Sequence, residues 1–310
     1  MSLYHLSSIF IVIEFFTNFN ITSFLIFLTV FHIKNITGAY KHMVVYFAIL
    51  GIVFSGLQVS AKPYSHNYNG SLLYFSRSNL PENVASLLLT FWSAFYVVIV
   101  AFISVQFVYR YVCLFHAEKT KIFEGVGTII WILYPLIPGF VYTTSMNLLC
   151  ATDEYSDLYV NVSKLPRFTM TPYSADASIR WNGVIFLLIG ISAICFHYIV
   201  IIFCCAKMHY NRKTELENFS IQNQKLQKQF FKALVVQLVG PTIFLILPTI
   251  PIFFTPLLAP IFQAQVDWQT GNLFALVGFY APFDSIAFML IVSEYTKIIK
   301  SRCLVNIKVK

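Results

Sequence analysis

Two carboxylates stand inside the apolar stretches of this chain, Glu14 and Asp284, and they have the strongest claim to chemistry. A charge in hydrocarbon is costly, so such a group must face the interior of a helix bundle or a water-filled cavity. Asp284, in Tyr280-Ala281-Pro282-Phe283-Asp284-Ser285, is either a conformational switch, including an ion-dependent lock, or a passive hydrogen-bond partner of a neighbouring helix. Glu14 lies near the end of its stretch, where its carboxylate is expected to reach the interface. Arg110, in Tyr109-Arg110-Tyr111, closes another stretch. It is either an anchor for phosphate headgroups or a latch that holds helix ends together. The seven histidines never recur four residues apart, the spacing that sets two ligands on one helix face. The six cysteines form no CxxC pair. No phosphate-binding loop, nucleophile elbow or dinucleotide fingerprint occurs. The expectation is a protein that is not an enzyme and uses no cofactor and no metal.

These residues sit in seven apolar runs, at about 9–31, 43–61, 84–109, 126–149, 184–206, 233–258 and 273–293. Each holds about 20 residues or more, enough for a helix across a ~30 Å hydrocarbon core. Helices are required because lipid offers backbone groups no hydrogen-bond partner. Composition agrees: the chain is 58% hydrophobic and 11% charged, whereas soluble domains are about a quarter charged. The predicted fold class is all-α, a single seven-helix membrane domain over residues 1–310 with a tail at 294–310. Residues 1–8 lack a basic segment, so the first run is expected to act as an uncleaved insertion signal.

Sixteen of the 21 lysines and arginines follow runs 1, 3, 5 and 7, which leaves Lys62, Arg77, Lys164, Arg167 and Arg180 on the other side. Positive charge stays on the cytoplasmic face, so the N-terminus is expected outside and the C-terminus in the cytoplasm. The net charge of +8 therefore points to anionic membrane lipids and cytoplasmic partners, with no nucleic acid. The long connections 62–83 and 150–183 fall outside, and 207–232 inside. The tail alternates basic and apolar residues, as a short helix on the inner membrane surface would.

Pro135 and Pro138 in run 4, Pro241, Pro248, Pro251 and Pro256 in run 6, and Pro282 in run 7 each withdraw a backbone donor and bend a helix. In a switching bundle a kinked run 6 swings at the inner face, which makes Pro241 and Pro282 switch candidates beside Arg110 and Asp284. Sequons at Asn69 and Asn161 face outside and are candidate glycosylation sites; those at Asn35 and Asn218 face inside. Cys150 is the cysteine placed outside, and Glu82 to Leu89 offers it no disulfide partner. Cys204, Cys205 and Cys303 lie near the inner face, as palmitoylation targets or as free thiols.

Three segments resemble the nematode serpentine chemoreceptors of the str and srj type: Gly38-Ala39-Tyr40-Lys41 with Lys62-Pro63; Phe107-Val108-Tyr109-Arg110-Tyr111; and Leu226 through Gln237 followed by Pro241. The similarity runs through all seven runs in order, and Pro282 through Tyr295 is similar to the family's last span. Ser285 departs from the Pro usual after the Asp. The resemblance implies a G-protein-coupled chemosensory receptor in the plasma membrane of sensory-neuron cilia, whose partner is a heterotrimeric G protein. It implies that Arg110 and the inner end of run 6, with Lys225, Lys228 and Lys232, meet that partner.

The function expected is binding of a small volatile or soluble odorant between the helices, favouring a state in which run 6 opens at the cytoplasmic face. Depth alone nominates Phe91, Trp92, Phe95, Phe186, Phe253 and Phe279 for the pocket. A ligand-gated cation channel and a small-molecule transporter are the alternatives. The basic-residue split disfavours the channel's inverted orientation. The transporter should show two repeated halves, and none is visible. A lone receptor and a homo- or heterodimer both remain open.

Overall fold

The computed structural model describes residues 3–33, 38–68, 70–151, 167–174, 178–216, 221–262 and 266–308. They form a bundle of seven helical spans. Span 1 is α1 (Leu3–Phe27) ending in a π-helical turn, Leu28–His32. Span 2 is α2 (Ala39–Ala61), entered at Gly38 and left at Lys62, whose amide donates to the Gln58 carbonyl. Span 3 is α3 (Glu82–Phe115) and continues into a 3-10 turn, Ala117–Phe123. Span 4 is divided into α4 (Val126–Leu133) and α5 (Leu136–Leu149), because Pro135 has no amide hydrogen to continue the ladder. Span 5 is α6 (Trp181–Leu216).

Span 6 joins α7 (Ile221–Pro241), the π-helical stretch Thr242–Ile246 and α8 (Leu247–Ile261). Pro241 and Pro248 bracket that wide stretch, and π-turns are one way a helix absorbs a lost donor. Span 7 is pieced together from a 3-10 turn (Thr270–Leu273), α9 (Phe274–Val277) and α10 (Tyr280–Ile291). Among the described residues six helices are long and apolar enough to cross a membrane; α10 is a shorter apolar helix. After one extended residue, Val292, the tail helix α11 (Ser293–Lys308) begins. The Ser293 amide and hydroxyl both donate to Gln229 Oε1, at 3.1 and 3.0 Å, which pins this corner to span 6. Tyr295 then tucks under the bundle, its hydroxyl 2.8 Å from Thr29 Oγ1 on span 1.

Span 3 is the central post. It is buried over most of its length and packs against spans 2, 4, 5 and 6, while spans 6 and 7 and spans 1 and 2 pair around it. Large apolar side chains point outward from the rim, among them Ile130, Phe140 and Ile199 at 62, 71 and 66% exposure. Lipid is the solvent that accepts such a surface.

The connections 62–83 and 150–183, expected only as long segments, join the connection between spans 6 and 7 in a small antiparallel sheet in the order β3-β2-β1-β4. Its strands are β1 (Pro63–Tyr68), β2 (Ser71–Ser76), β3 (Arg167–Met170) and β4 (Asp267–Trp268). Pro63 opposes Ser76 and Tyr68 opposes Ser71, and the chain enters β2 through Gly70 at a φ of 74°. Asn-Gly is the pair that tight hairpin turns favour. The sheet is tied to span 7: Ser65 Oγ meets Thr270 Oγ1 at 2.9 Å, and Tyr64 Oη donates to Gln269 Oε1 at 3.0 Å. Gly271 lies so close against the Tyr64 ring that a Cβ there would come within 2.4 Å of it.

Candidate functional site

Beneath the sheet lies a cavity of about 290 Å³ between spans 3, 4, 5 and 6. Leu72 and Tyr74 of β2 and Phe168 and Met170 of β3 close it on the sheet side. Trp92 and Tyr96, four residues apart on span 3 and so on one helix face, form its inner wall. Their rings meet edge to face at 5.2 Å, and Trp92 also stacks on Phe54 at 5.5 Å. Tyr142 of span 4 packs against Phe186 of span 5 at 5.1 Å. The absence of a side chain at Gly190 makes room for it: a Cβ there would stand 3.0 Å from the Tyr142 ring. Towards the rim, the wall includes Ile191 and Cys195 of span 5 and Ile250 and Phe254 of span 6, which are also exposed at the bundle surface. Burial pushes the Tyr74 hydroxyl well above its ordinary range, so it stays protonated, and Ser93 Oγ lies 3.0 Å from it.

The six aromatics nominated by depth are divided by the structure. Trp92, Phe186 and Phe253 line the cavity. Phe91 is 43% exposed on the rim, since one residue along a helix turns the side chain by about 100° from Trp92. Phe95 is partly buried and stacks on Phe54 at 6.3 Å, away from the cavity. Phe279 is 42% exposed beside Phe244. Tyr96, Tyr142 and the strand residues were not foreseen. Trp92 and Tyr96 are legible as an i, i+4 pair, whereas the strands reach the cavity through a sheet whose hairpin signal, Asn69-Gly70, is easily taken for a sequon alone.

At the far end of span 3, about 27 Å from Trp92 at 1.5 Å per residue, Arg110 is 7% exposed. Its guanidinium carbon stands 3.4 Å from the Tyr40 ring centre and 4.1 Å from that of Phe230. Arg110 Nη1 donates to Gln227 Oε1 at 3.4 Å, while Nε and Nη2 are buried without a partner among the described residues. Spans 2, 3 and 6 thus close on one cation held by ring faces, which attract it through their quadrupoles. Lys225, Lys228 and Lys232 are exposed on the opposite face of α7.

A buried polar seam occupies the middle of the bundle. Asp284 Oδ2 accepts from Gln237 Nε2 at 3.1 Å, so spans 6 and 7 are linked, and Asp284 Oδ1 is buried without a partner among the described residues. Ser285 Oγ lies 3.1 Å from Thr22 Oγ1, and Thr22 donates in turn to Asn18 Oδ1 at 2.8 Å. Asn18 Nδ2 donates to Ser55 Oγ at 2.7 Å. A proline at 285 would remove this link between spans 1 and 7. Pro241 and Pro282 are both buried beside the seam. Between them, Gly240 rests on the Phe283 ring, where a Cβ would approach to 2.9 Å.

Glu14 corrects an expectation. It is 5% exposed and does not reach the interface; it faces Gly278 of span 7, where a Cβ would stand 2.0 Å from Glu14 Oε2. The cause is helical phase: Ile11, Glu14, Asn18, Thr22 and Leu25 share one buried stripe of span 1. Cys150 is a buried free thiol at the cavity wall, and Cys204 is also buried. The Cys303 side chain and the sequons at Asn69, Asn161, Asn35 and Asn218 lie outside the described residues. Among the described residues no group of histidine, cysteine or carboxylate side chains could hold a metal.

Comparison with known proteins gives this geometry a family. Residues 7–300 match the family described as Serpentine type 7TM GPCR chemoreceptor Str. The G-protein coupled receptor str-33 of Caenorhabditis elegans is 36% identical over 292 residues, covering 88% of this chain and 84% of that protein. Serpentine receptor class r-10 of the same species is 25% identical over 281 residues, covering 86% and 81%. The fold is similar to the crystal structure of squid rhodopsin, with a TM-score of 0.56 at 13% identity, covering 95% of this chain and 79% of that one. The chain is therefore an integral membrane protein with a seven-helix bundle, and it belongs to the Str family of serpentine G-protein-coupled chemoreceptors.

Proposed function

We propose that this protein is a chemosensory receptor that binds a small odorant in the cavity of spans 3 to 6 and signals to a heterotrimeric G protein at the Arg110 end. One observation carries this reading: spans 3 and 6 each touch both sites. Span 3 supplies Trp92 to the cavity and Arg110 to the clamp; span 6 supplies Phe253 to the cavity and Phe230 to the clamp. A ligand wedged between the cavity walls changes how the two spans sit, and the clamp is where that change is read out. The ligand shifts the equilibrium only by its difference in affinity for the closed and open states.

In this reading Arg110 is the latch, Pro241 and Pro282 are the flexible joints, and Asp284 with Gln237 holds spans 6 and 7 in register. The Arg110 end faces the cytoplasm, where Lys225, Lys228 and Lys232 meet the G protein. The sheet faces outward, with glycan at Asn69 and Asn161, in a ciliary membrane of a sensory neuron. Tyr40→Leu should raise ligand-independent signalling about five- to thirtyfold, the factor that about 1–2 kcal/mol of cation–π attraction represents. Arg110→Ala should lower ligand-evoked coupling, with surface delivery intact. Loss of surface protein from Arg110→Ala would instead make Arg110 a membrane anchor, and an unchanged basal signal in Tyr40→Leu would remove the latch.

A further inference from the structure

We propose that the ligand of the cavity is an uncharged molecule bearing a hydrogen-bond acceptor, such as a carbonyl, ester, ether or ring nitrogen, and that Trp92 Nε1 and Tyr96 Oη are the donors that recognise it. The inference rests on the receptor reading above and specifies its ligand class.

Among the described residues, none that lines the cavity carries a charge. An amine would find no carboxylate there and a carboxylate no cation, and burying either ion unpaired is strongly unfavourable. Three of the polar side chains in the wall, Ser93, Tyr74 and Thr249, are already engaged. Ser93 Oγ bonds the Leu89 carbonyl at 2.8 Å and the Tyr74 hydroxyl at 3.0 Å. Thr249 Oγ1 donates to the Ile246 carbonyl at 2.8 Å. Trp92 and Tyr96 are different. They are 1% and 8% exposed, and among the described residues the indole nitrogen and the phenol oxygen are buried with no hydrogen-bond partner.

Buried polar groups in native proteins are nearly always satisfied, so two orphans side by side mark a missing partner. The indole N–H can only donate, and a phenol hydroxyl donates readily. The missing partner is therefore an acceptor. Two donors one helical turn apart suit an atom with two lone pairs, such as a carbonyl oxygen. The remaining wall is aromatic and aliphatic, which fixes the rest of the molecule as apolar. The volume, about 290 Å³, is roughly twice that of the ~150 Å³ cavity that admits benzene, so the ligand is small.

The test uses the full-length receptor in cells with a G-protein readout and a panel matched in carbon chain length: alkane, ketone, ester, primary amine and carboxylate. Ketones or esters should activate at concentrations at least about tenfold below the matched alkane, because a hydrogen-bonding site discriminates against a ligand that leaves its donors unpaired. Tyr96→Phe keeps the ring and removes the hydroxyl; Trp92→Phe removes the indole N–H. Each should raise the half-maximal concentration for the ketone about tenfold while moving that for the alkane less than threefold, with surface delivery unchanged. The amine or carboxylate as the most potent agonist would overturn the proposal, as would ketone potency unchanged in both variants; in either case the receptor reading survives. Silence of a correctly delivered receptor towards the whole panel would overturn both.

Discussion

At the scale of single residues, Gly278 leaves the room that the buried Glu14 carboxylate fills. A side chain at 278 would have to occupy the space of a buried carboxylate. Gly278→Ala should therefore destabilise the folded protein by about 1–3 kcal/mol, as overpacking does. Glu14→Ala in the same chain should recover most of that loss. Thermal unfolding of the four species in nanodiscs checks it; additive effects of the two substitutions would mean that the contact is not formed. The residue scale is also where the sequence is hardest to interpret. Placing aromatics by depth nominates Trp92 and Phe91 alike and cannot separate them, because depth is shared by neighbours and helical phase is not. Phase is visible where polar residues mark it. The stripe through Glu14, Asn18 and Thr22 was available in the sequence, and it already contradicts a carboxylate that turns outward.

At the scale of elements, the seven helices follow from apolar length, and the breaks in spans 4 and 6 from Pro135, Pro241 and Pro248. The sheet was legible only at its turn. Its strands are short, two of them come from distant connections, and β4 is paired over just two residues, Asp267 and Trp268. No local pattern announces such long-range pairing. Gly70 tests what the sheet does. Its φ of 74° suits a residue without Cβ, so Gly70→Val should destabilise the hairpin by about 1–2 kcal/mol. Because β2 closes the cavity, ligand affinity should fall while the maximal response of the saturated receptor is retained. A lowered maximal response at full surface delivery would show that the sheet takes part in switching as well. The start of span 6 supplies the complementary experiment. Reversing Lys225, Lys228 and Lys232 to Glu changes an exposed face and leaves the inward Gln227, Gln229 and Phe230 in place. G-protein coupling should drop at least about tenfold with ligand affinity preserved, since like charges across an interface cost several kcal/mol. Intact coupling would move the contact surface elsewhere.

At the scale of the whole molecule, two sites about 27 Å apart along one helix share spans 3 and 6, and a seam of buried polar groups ties spans 1, 2, 6 and 7 together between them. Such an arrangement suits two discrete packings of the same helices better than a continuous deformation. In the proposed orientation, which the asymmetry of lysine and arginine supports, the clamp lies in the cytoplasm and the sheet outside, so that the cavity samples the exterior and the clamp reports inward. A channel built from the same seven spans would pass current without a nucleotide-exchanging partner. The most direct measurement follows from that contrast: reconstitute the full chain in lipid vesicles with a purified heterotrimeric G protein, add an agonist from the matched panel, and record nucleotide exchange and ion flux together. The account predicts agonist-dependent exchange with no flux, lost on Arg110→Ala. Agonist-dependent flux with no exchange would contradict it.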